Sequence, residues 1–465
     1  MLKTIMKYGE AEATYEMKKR LAEKPKLKQL FWETTLRCNA KCKHCGSRAG
    51  ENINLKDELT TEEIKTALQS IANKYNASEI LINVTGGEPL IRKDLFEVME
   101  FANCLGYPWG MTTNGILIND EIILKMKKAG MTTISISLDG MEKSHDEFRG
   151  VKGSYSRIIE NIKKLKKANF LNYLQITTVV NKLNINELEE MYIKMKELEI
   201  NSWRIVNMDP IGRAEDNKNL ALSNDDYKYL LNFIKEKRKK SKFDITYGCT
   251  HFLGMKFEKE VRRNMFVCTT GFTIGSILYN GDIYVCPSVE RRKELIQGNI
   301  RNDDFVDVWE NKFKWFRDLD KFKCEECENC KDWKYCLGDS LDTWDFENKK
   351  PKLCLNKILE KRGDNKWKKK KLLGSLGIFL VSIKSKVFAA GYEIPDQFVE
   401  VKYGTFEPTI AEKFSVITKL VLPIILFFIG LGVILSKKIS KKIKIIIVVV
   451  LILIGILANI LIKYL

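Results

Sequence analysis

Between residues 29 and 207, short apolar runs alternate with stretches whose apolar positions recur at helical spacing. The runs fall at 29–34, 80–84, 110–113, 133–138, 174–180 and 202–206, and helices are expected between them at 61–75, 93–105, 119–129, 155–168 and 185–198. Thr60-Thr61-Glu62-Glu63 and Asn184-Ile185-Asn186-Glu187 read as helix N-termini with acidic first turns. This strand–helix alternation predicts an α/β domain with a parallel sheet, in which ligands gather at the carboxyl ends of the strands. Six strands are too few to close an eight-stranded barrel. Upstream, residues 8–25 place Ala11, Tyr15, Met17, Leu21 and Ala22 on roughly one side of a helix, a lead-in element expected to pack on the domain that follows.

The apolar pattern changes character near the C-terminus. Lys366-Trp-Lys-Lys-Lys-Lys371 precedes an apolar run from Leu372 that extends to Ala390 across Lys384 and Lys386. Two stronger segments follow at about 414–435 and 443–465, joined by the basic loop 436–444. Each approaches the ~20 residues that cross a bilayer. The positive-inside rule puts the basic loop in the cytoplasm. Two spans alone would then leave the N-terminal body outside, whereas counting 372–390 as a span keeps it inside and exports the acidic connector 391–413. The competing reading makes 372–390 an interfacial amphipathic helix.

Composition narrows the compartment and the partners. The 465 residues include 12 cysteines in short metal-type spacings, and the charged first 28 residues lack the pattern of a secretory signal. A reducing, cytosolic body anchored to the membrane through the C-terminus is expected. The net charge of +18 concentrates beside the C-terminal apolar segments, with no nucleic-acid-binding signature. It points to a lipid bilayer surface and not to nucleic acid.

The candidate chemistry starts at Cys38-Asn-Ala-Lys-Cys42-Lys-His-Cys45, whose three thiols leave a four-iron cluster one ligand short. A three-cysteine zinc site with His44 as the fourth ligand is the alternative, but a histidine directly preceding Cys45 would have to point away from its neighbour's sulfur. Val84-Thr-Gly86-Gly87-Glu88-Pro89 follows at the end of the second run. Trp109-Gly-Met-Thr-Thr-Asn114-Gly115, Ser135-Ile-Ser137-Leu-Asp139-Gly140 and Trp203-Arg204-Ile205 come after it in order. Together these motifs resemble the radical S-adenosylmethionine (radical SAM) superfamily. The resemblance implies a partial (β/α)6 TIM-like barrel on which Cys38, Cys42 and Cys45 hold a [4Fe-4S] cluster. The open iron would chelate S-adenosylmethionine, and a flavodoxin- or ferredoxin-type donor would supply the electron that cleaves it. Gly86, Gly87 and Glu88 would bind the methionine moiety, with Glu88 accepting from its ammonium. Asn114, Ser137 and Asp139 follow the third and fourth strands, the last two near the ribose by analogy. Asp139-Gly140 also suits an ordinary turn. Asn181 and Arg204 are candidates for the carboxylate or adenine edge.

A second cysteine field holds Cys268, Cys286, Cys324, Cys327, Cys330, Cys336 and Cys354, with an Asn280-Gly281 hairpin turn before Cys286. This resembles the SPASM extension of radical enzymes that modify peptides and proteins. The resemblance assigns Cys327, Cys330, Cys336 and Cys354 to one auxiliary [4Fe-4S] cluster. A second auxiliary cluster would use Cys268 and Cys286, but Ser340 stands where the family pattern has a further cysteine. Cys324, Cys249, a non-thiolate ligand, an open iron or no cluster at all are the alternatives there. Cys249 is also a candidate thiol hydrogen donor, and Cys104, on an expected helix, reads as buried core.

The expected organisation is a lead-in helix over 1–28, the barrel over 29–240 and the auxiliary-cluster extension over 241–364. A basic leader with the first membrane segment and connector then occupies 365–413, and a transmembrane hairpin 414–465. Likeness running from Phe31-Trp-Glu33 through Trp109-Gly-Met111 to Ile296-Gln-Gly-Asn299 is to SPASM maturases paired with small lipoproteins. It implies hydrogen abstraction from a peptide or small protein, giving a crosslink, thioether, epimerised or oxidised residue. A small-molecule substrate is the alternative among enzymes. A membrane-bound iron–sulfur electron carrier is the alternative outside them, for which Gly86-Gly87-Glu88 would have no purpose. Ala389 to Gly404 is weakly similar to peptide segments of such lipoproteins, and reads either as a linker or as a fused substrate. Asp209, Glu215 and Asp339 are acidic residues in plausible places, and none is singled out as a base.

Overall fold

Seven strands run parallel in chain order: β1 (Gln29–Glu33), β2 (Leu81–Thr85), β3 (Trp109–Thr113), β4 (Thr133–Ser137), β5 (Tyr173–Val180), β6 (Ser202–Asn207) and β7 (Asp244–Tyr247). The structure is a computed structural model that describes residues 2–51, 54–248 and 250–360. The first six strands match the six apolar runs to within one residue at either end. Every residue of β4 is buried and so are Leu81 to Val84 of β2, as expected of parallel strands covered on both faces. The helices between them are α2 (Thr61–Lys74), α3 (Leu95–Cys104), α4 (Asp120–Lys128), α5 (Glu142–Arg149), α6 (Ser154–Ala168), α7 (Leu188–Glu197) and α8 (Asn224–Lys240), and α1 (Leu2–Glu23) precedes the sheet. α2 illustrates why they form. Thr60 and Glu63 make a reciprocal capping box, and Ile64, Ala67, Leu68 and Ile71 give it one buried stripe.

The sheet exceeds the six-strand expectation at both ends. β7 extends it beyond β6. At the other edge β8 (Ile274–Ile277) pairs parallel to β1, and the antiparallel strands β9 (Asp282–Tyr284) and β10 (Gly298–Asn299) follow it. The expected Asn280-Gly281 turn joins β8 and β9, with Gly281 at φ +89°. The cysteine-rich extension thus shares one open ten-stranded sheet with the barrel strands.

α1 departs from its expected packing. Its buried residues Ala11, Glu12 and Lys18 face the cysteine-rich extension. Ala11 joins Phe252, Met255, Met265 and Phe266 in one apolar cluster. Glu12 accepts from Lys334 Nζ at 2.5 Å and from the Tyr335 hydroxyl at 2.7 Å. Among the described residues no helix is long and apolar enough to cross a membrane. The expected segments at 372–390, 414–435 and 443–465, and the stretch 389–404, lie outside the described residues.

Candidate functional site

The loop that carries Cys38, Cys42 and Cys45 leaves the carboxyl end of β1 and is clamped from three sides. The first clamp is the loop after β2. Gly87 N–H donates to Thr35 O at 2.7 Å and Glu88 N–H to Arg37 O at 2.9 Å. A Cβ on Gly86, whose φ is +154°, would lie 2.6 Å from Thr35 O, and one on Gly87 would lie 2.2 Å from Arg37 O. These two glycines therefore make room for the cysteine loop itself.

The second clamp is the end of α5. Lys41 and Lys43 N–H groups donate to the carbonyls of Arg149 and Phe148 at 3.1 and 2.9 Å. The buried Arg149 guanidinium donates to Asp139 Oδ2 at 2.5 Å and to Cys42 Sγ at 3.5 Å. The third clamp is the loop after β6. Arg213 N–H donates to Cys45 O at 3.0 Å, and its side chain reaches Cys42 O at 2.9 Å and Ala49 O at 3.0 Å. Gly212, at φ +56°, has no space for a Cβ, which would sit 2.4 Å from Cys45 O.

N–H donors aimed at Cys42 and Cys45 suit sulfurs that carry negative charge on a cluster, whereas burial without a metal favours the thiol. Burial pushes the Cys38 thiol up to about 11 and raises Cys42 as well, with Arg149 opposing the rise at Cys42. Arg149 and the Ala49 N–H, 3.4 Å from Cys45 Sγ, are donors placed on sulfur. His44 is not among these donors: it stacks on Phe148 with ring centroids 4.5 Å apart and planes 10° apart. Burial, then Arg149 and Arg213, hold it well below the ordinary histidine range, so it is neutral. Neutral imidazole is the form that binds metal, so it is the stack on Phe148 that argues against the zinc reading. His44→Phe, which keeps the stack, is expected to retain wild-type iron on anaerobic reconstitution; loss of about four irons per chain would make His44 a ligand.

The other expected cofactor residues, Arg204 within β6 apart, gather at the same strand ends, most of them already engaged. The Glu88 carboxylate is fully buried and accepts from Thr113 Oγ1 at 2.7 Å, Asn114 N–H at 2.8 Å and Leu90 N–H at 3.2 Å. That uses three of about four lone-pair positions, and it ties the β2 loop to the end of β3. Asn114 Nδ2 donates to Asn39 Oδ1, between the first two cysteines, at 2.7 Å. Asp139 Oδ1 accepts from Val179 N–H at 2.7 Å while Oδ2 holds Arg149. Asn181 closes its own turn, accepting from Leu183 N–H and donating to Val179 O. Ser137 is buried at the end of β4, and Arg204 sits on β6 in register with Thr177 and Thr246.

In the extension, burial raises the thiols of Cys336 and Cys354, with Cys327 and Cys354 adding to the rise at Cys336 and Cys330 to that at Cys354. Cys324 Sγ lies 3.2 Å from that of Cys327, and burial with this contact pushes Cys327 up to about 12. Cys268 packs with Cys336 against the Ala11 cluster, and Cys286 follows β9. The buried Ser340 hydroxyl donates to Asp342. Cys104 is exposed on α3, contrary to its expected burial, because α3 buries Leu95, Val98, Met99 and Ala102 instead. Cys249 lies outside the described residues.

Sequence reasoning missed Arg149, Arg213 and His251. His251 is buried at φ +58°, with Nε2 2.6 Å from Asp209 and Nδ1 3.2 Å from Asp339. Burial pulls its pKa down, but the two carboxylates outweigh it and raise it to about 10, so it is an imidazolium at neutral pH. Asp342 beside them is pushed up to about 7 by burial and by Asp209. Two of the three acidic residues noted in the sequence thus meet at one imidazole, while Glu215 pairs at the surface with Lys352 at 2.8 Å.

Comparison with known proteins agrees with this geometry. Residues 32–194 match the radical SAM superfamily and 268–331 the SPASM iron-sulfur cluster-binding domain. The AdoMet-dependent heme synthase of Methanosarcina barkeri is 29% identical over 328 residues, 66% of this chain and 90% of that protein. The mycofactocin maturase MftC of Mycolicibacterium smegmatis is 27% identical over 316 residues, 67% of this chain and 77% of that protein. Among solved structures, Streptococcus suis SuiB bound to S-adenosylmethionine superposes with a TM-score of 0.54 at 19% identity, covering 72% of this chain and 78% of SuiB. Native anSMEcpe with bound AdoMet gives 0.56 at 20% identity, covering 78% of this chain and 99% of that one. The cysteine loop and the glycine clamp lie within the first match, and the chain thus carries a radical SAM domain and a SPASM iron–sulfur cluster-binding domain.

Proposed function

We propose that this protein abstracts hydrogen from a peptide or small protein and so installs a post-translational modification. The observation that carries the reading is the clamped three-thiol loop in a chain whose cysteine-rich extension adds β8, β9 and β10 to the same sheet. When bound, the [4Fe-4S] cluster and S-adenosylmethionine supply a carbon-centred radical able to attack an unactivated C–H bond. Cys38, Cys42 and Cys45 would hold the first cluster. Cys327, Cys330, Cys336 and Cys354 would hold an auxiliary cluster, and Cys268 with Cys286 would serve a second. Arg149 and Arg213 fix the cysteine loop, and His251 keeps a positive charge between Asp209 and Asp339. The SPASM extension and the likeness to MftC support a peptide substrate.

A tetrapyrrole substrate is the second reading, favoured by the likeness to AdoMet-dependent heme synthases. The two separate by which addition stimulates release of 5′-deoxyadenosine from reduced, loaded enzyme. Stimulation by a small peptide, with a mass change on that peptide, supports the first reading; stimulation by tetrapyrroles alone overturns it. A flavodoxin- or ferredoxin-type protein is the proposed reductant. The proposed location is the cytoplasmic face of a membrane, supported by the apolar segments after residue 372 and their basic loop.

A further inference from the structure

Two residues that hold their backbone at positive φ meet side chain to side chain between the barrel strands and the cysteine-rich extension. They are His251, at φ +58°, which follows β7, and Asp339, at φ +70°, in the turn after Cys336. Non-glycine residues persist in this region only where surrounding contacts over-determine them, and such outliers cluster at functional sites. Both are buried. Asp339 N–H donates to Cys336 O at 3.2 Å, and Asp339 Oδ1 accepts from Phe252 N–H at 2.6 Å. The Arg262 guanidinium donates to His251 O at 2.9 Å and pairs with Glu258 at 2.7 Å, so the histidine is held through its backbone as well.

The other ring nitrogen points back to the barrel strands. His251 Nε2 stands 2.6 Å from Asp209 Oδ1, which also accepts from Asn207 Nδ2 at 2.6 Å, and Asn207 in turn accepts from the Tyr247 hydroxyl. Asp209 opens the loop after β6. Its carbonyl accepts from Ile211 N–H at 2.8 Å, and the loop runs on through Gly212 to Arg213, whose contacts hold the first cysteine loop. One imidazole, with each nitrogen on a carboxylate, therefore ties the turn that follows Cys336 to the loop that clamps Cys42 and Cys45.

We propose that His251 is a positioning residue for the first cluster: it passes the order of the Cys336 turn to the Arg213 clamp, and so sets how tightly the loaded site takes S-adenosylmethionine. This rests on the reading of Cys38, Cys42 and Cys45 as the ligands of that cluster.

The test uses full-length protein, reconstituted anaerobically, as wild type, His251→Asn, Arg213→Met, the double variant of these two, Asp339→Gly and Lys352→Met. Iron and sulfide are counted, and S-adenosylmethionine is titrated into the reduced protein while the electron paramagnetic resonance signal of the first cluster is followed. Asparagine tolerates a positive φ, so His251→Asn keeps the backbone while offering one donor atom in place of two. It is expected to need about tenfold more S-adenosylmethionine for half of the spectral change. Arg213→Met should shift the same way, and the double variant should be no worse than the poorer single one, because both act through one loop. Lys352→Met, which breaks the surface pair with Glu215 between the same two segments, should titrate like wild type. Selective loss of the first cluster from His251→Asn, about four irons, would equally support the assignment. A wild-type titration in fully loaded His251→Asn overturns it, as do iron loss from all sites alike and effects that multiply in the double variant. If His251→Asn does not fold, Asp339→Gly decides. Glycine accepts φ +70° and removes only the extension's end of the bridge, so a shifted titration supports the proposal and a wild-type one overturns it. A wild type with no spectral response to S-adenosylmethionine would instead overturn the underlying reading of the first three cysteines.

Discussion

Gly87→Ala is expected to lose the first cluster. The added methyl would lie 2.2 Å from Arg37 O and 2.8 Å from Leu36 O, so the cysteine loop or the β2 loop must move by about an ångström. Both contacts are backbone, with no flexible side chain to give way. A displacement of that size at a reacting site costs on the order of 100-fold. Reconstituted Gly87→Ala should bind about four fewer irons than wild type, or should load fully and release 5′-deoxyadenosine ~100-fold more slowly. Gly106→Ala is the control. Gly106 has φ +94°, but a Cβ there meets nothing within 4 Å, so the change strains the backbone without touching the loop and iron should be retained. Normal iron and normal turnover in Gly87→Ala would remove the glycine clamp from the account.

Arg149→Met is expected to destabilise the whole fold. The guanidinium is the ionic partner of Asp139, which is wholly buried at the end of β4, and a carboxylate stranded there costs about 3–5 kcal/mol. Cys42 loses its donor in the same change. Thermal unfolding should show a large loss in Arg149→Met, partly recovered in the double variant Arg149→Met/Asp139→Asn, because removing both charges leaves no unpaired ion. Additive losses would mean that the two groups stabilise the fold separately.

The strands were legible because each of the six runs is short, apolar and separated from the next by a helix-length amphipathic stretch. β7 and the β8 pairing to β1 were not. β7 is four residues, Asp244-Ile-Thr-Tyr247, and β8 joins a strand about 245 residues earlier in the chain, so no local pattern announces either. α5 was invisible for a related reason. Its eight residues are mostly polar, and it buries Ser144, His145 and Phe148, with no apolar stripe to read.

The cysteines and the Gly86-Gly87-Glu88 turn were legible as a motif, and the structure adds the partners that its backbone and side chain take. The glycines admit the cysteine loop, and the Glu88 side chain serves as a strut between strands. Arg149 and Arg213 carry much of the support and give no sequence signal, since each acts through a contact made only on folding. The lead-in helix was placed on the wrong partner because its apolar residues alone were weighed. Two buried charges, Glu12 and Lys18, direct it to the cysteine-rich extension.

The central claim is that Cys38, Cys42 and Cys45 hold a cluster that drives cleavage of S-adenosylmethionine. Dithionite-dependent release of 5′-deoxyadenosine from anaerobically reconstituted full-length protein, wild type against Cys42→Ala, tests it most directly. Wild type is expected to release 5′-deoxyadenosine and Cys42→Ala only background. Equal release from the two proteins, or none from a fully loaded wild type supplied with either peptides or tetrapyrroles, would contradict the claim.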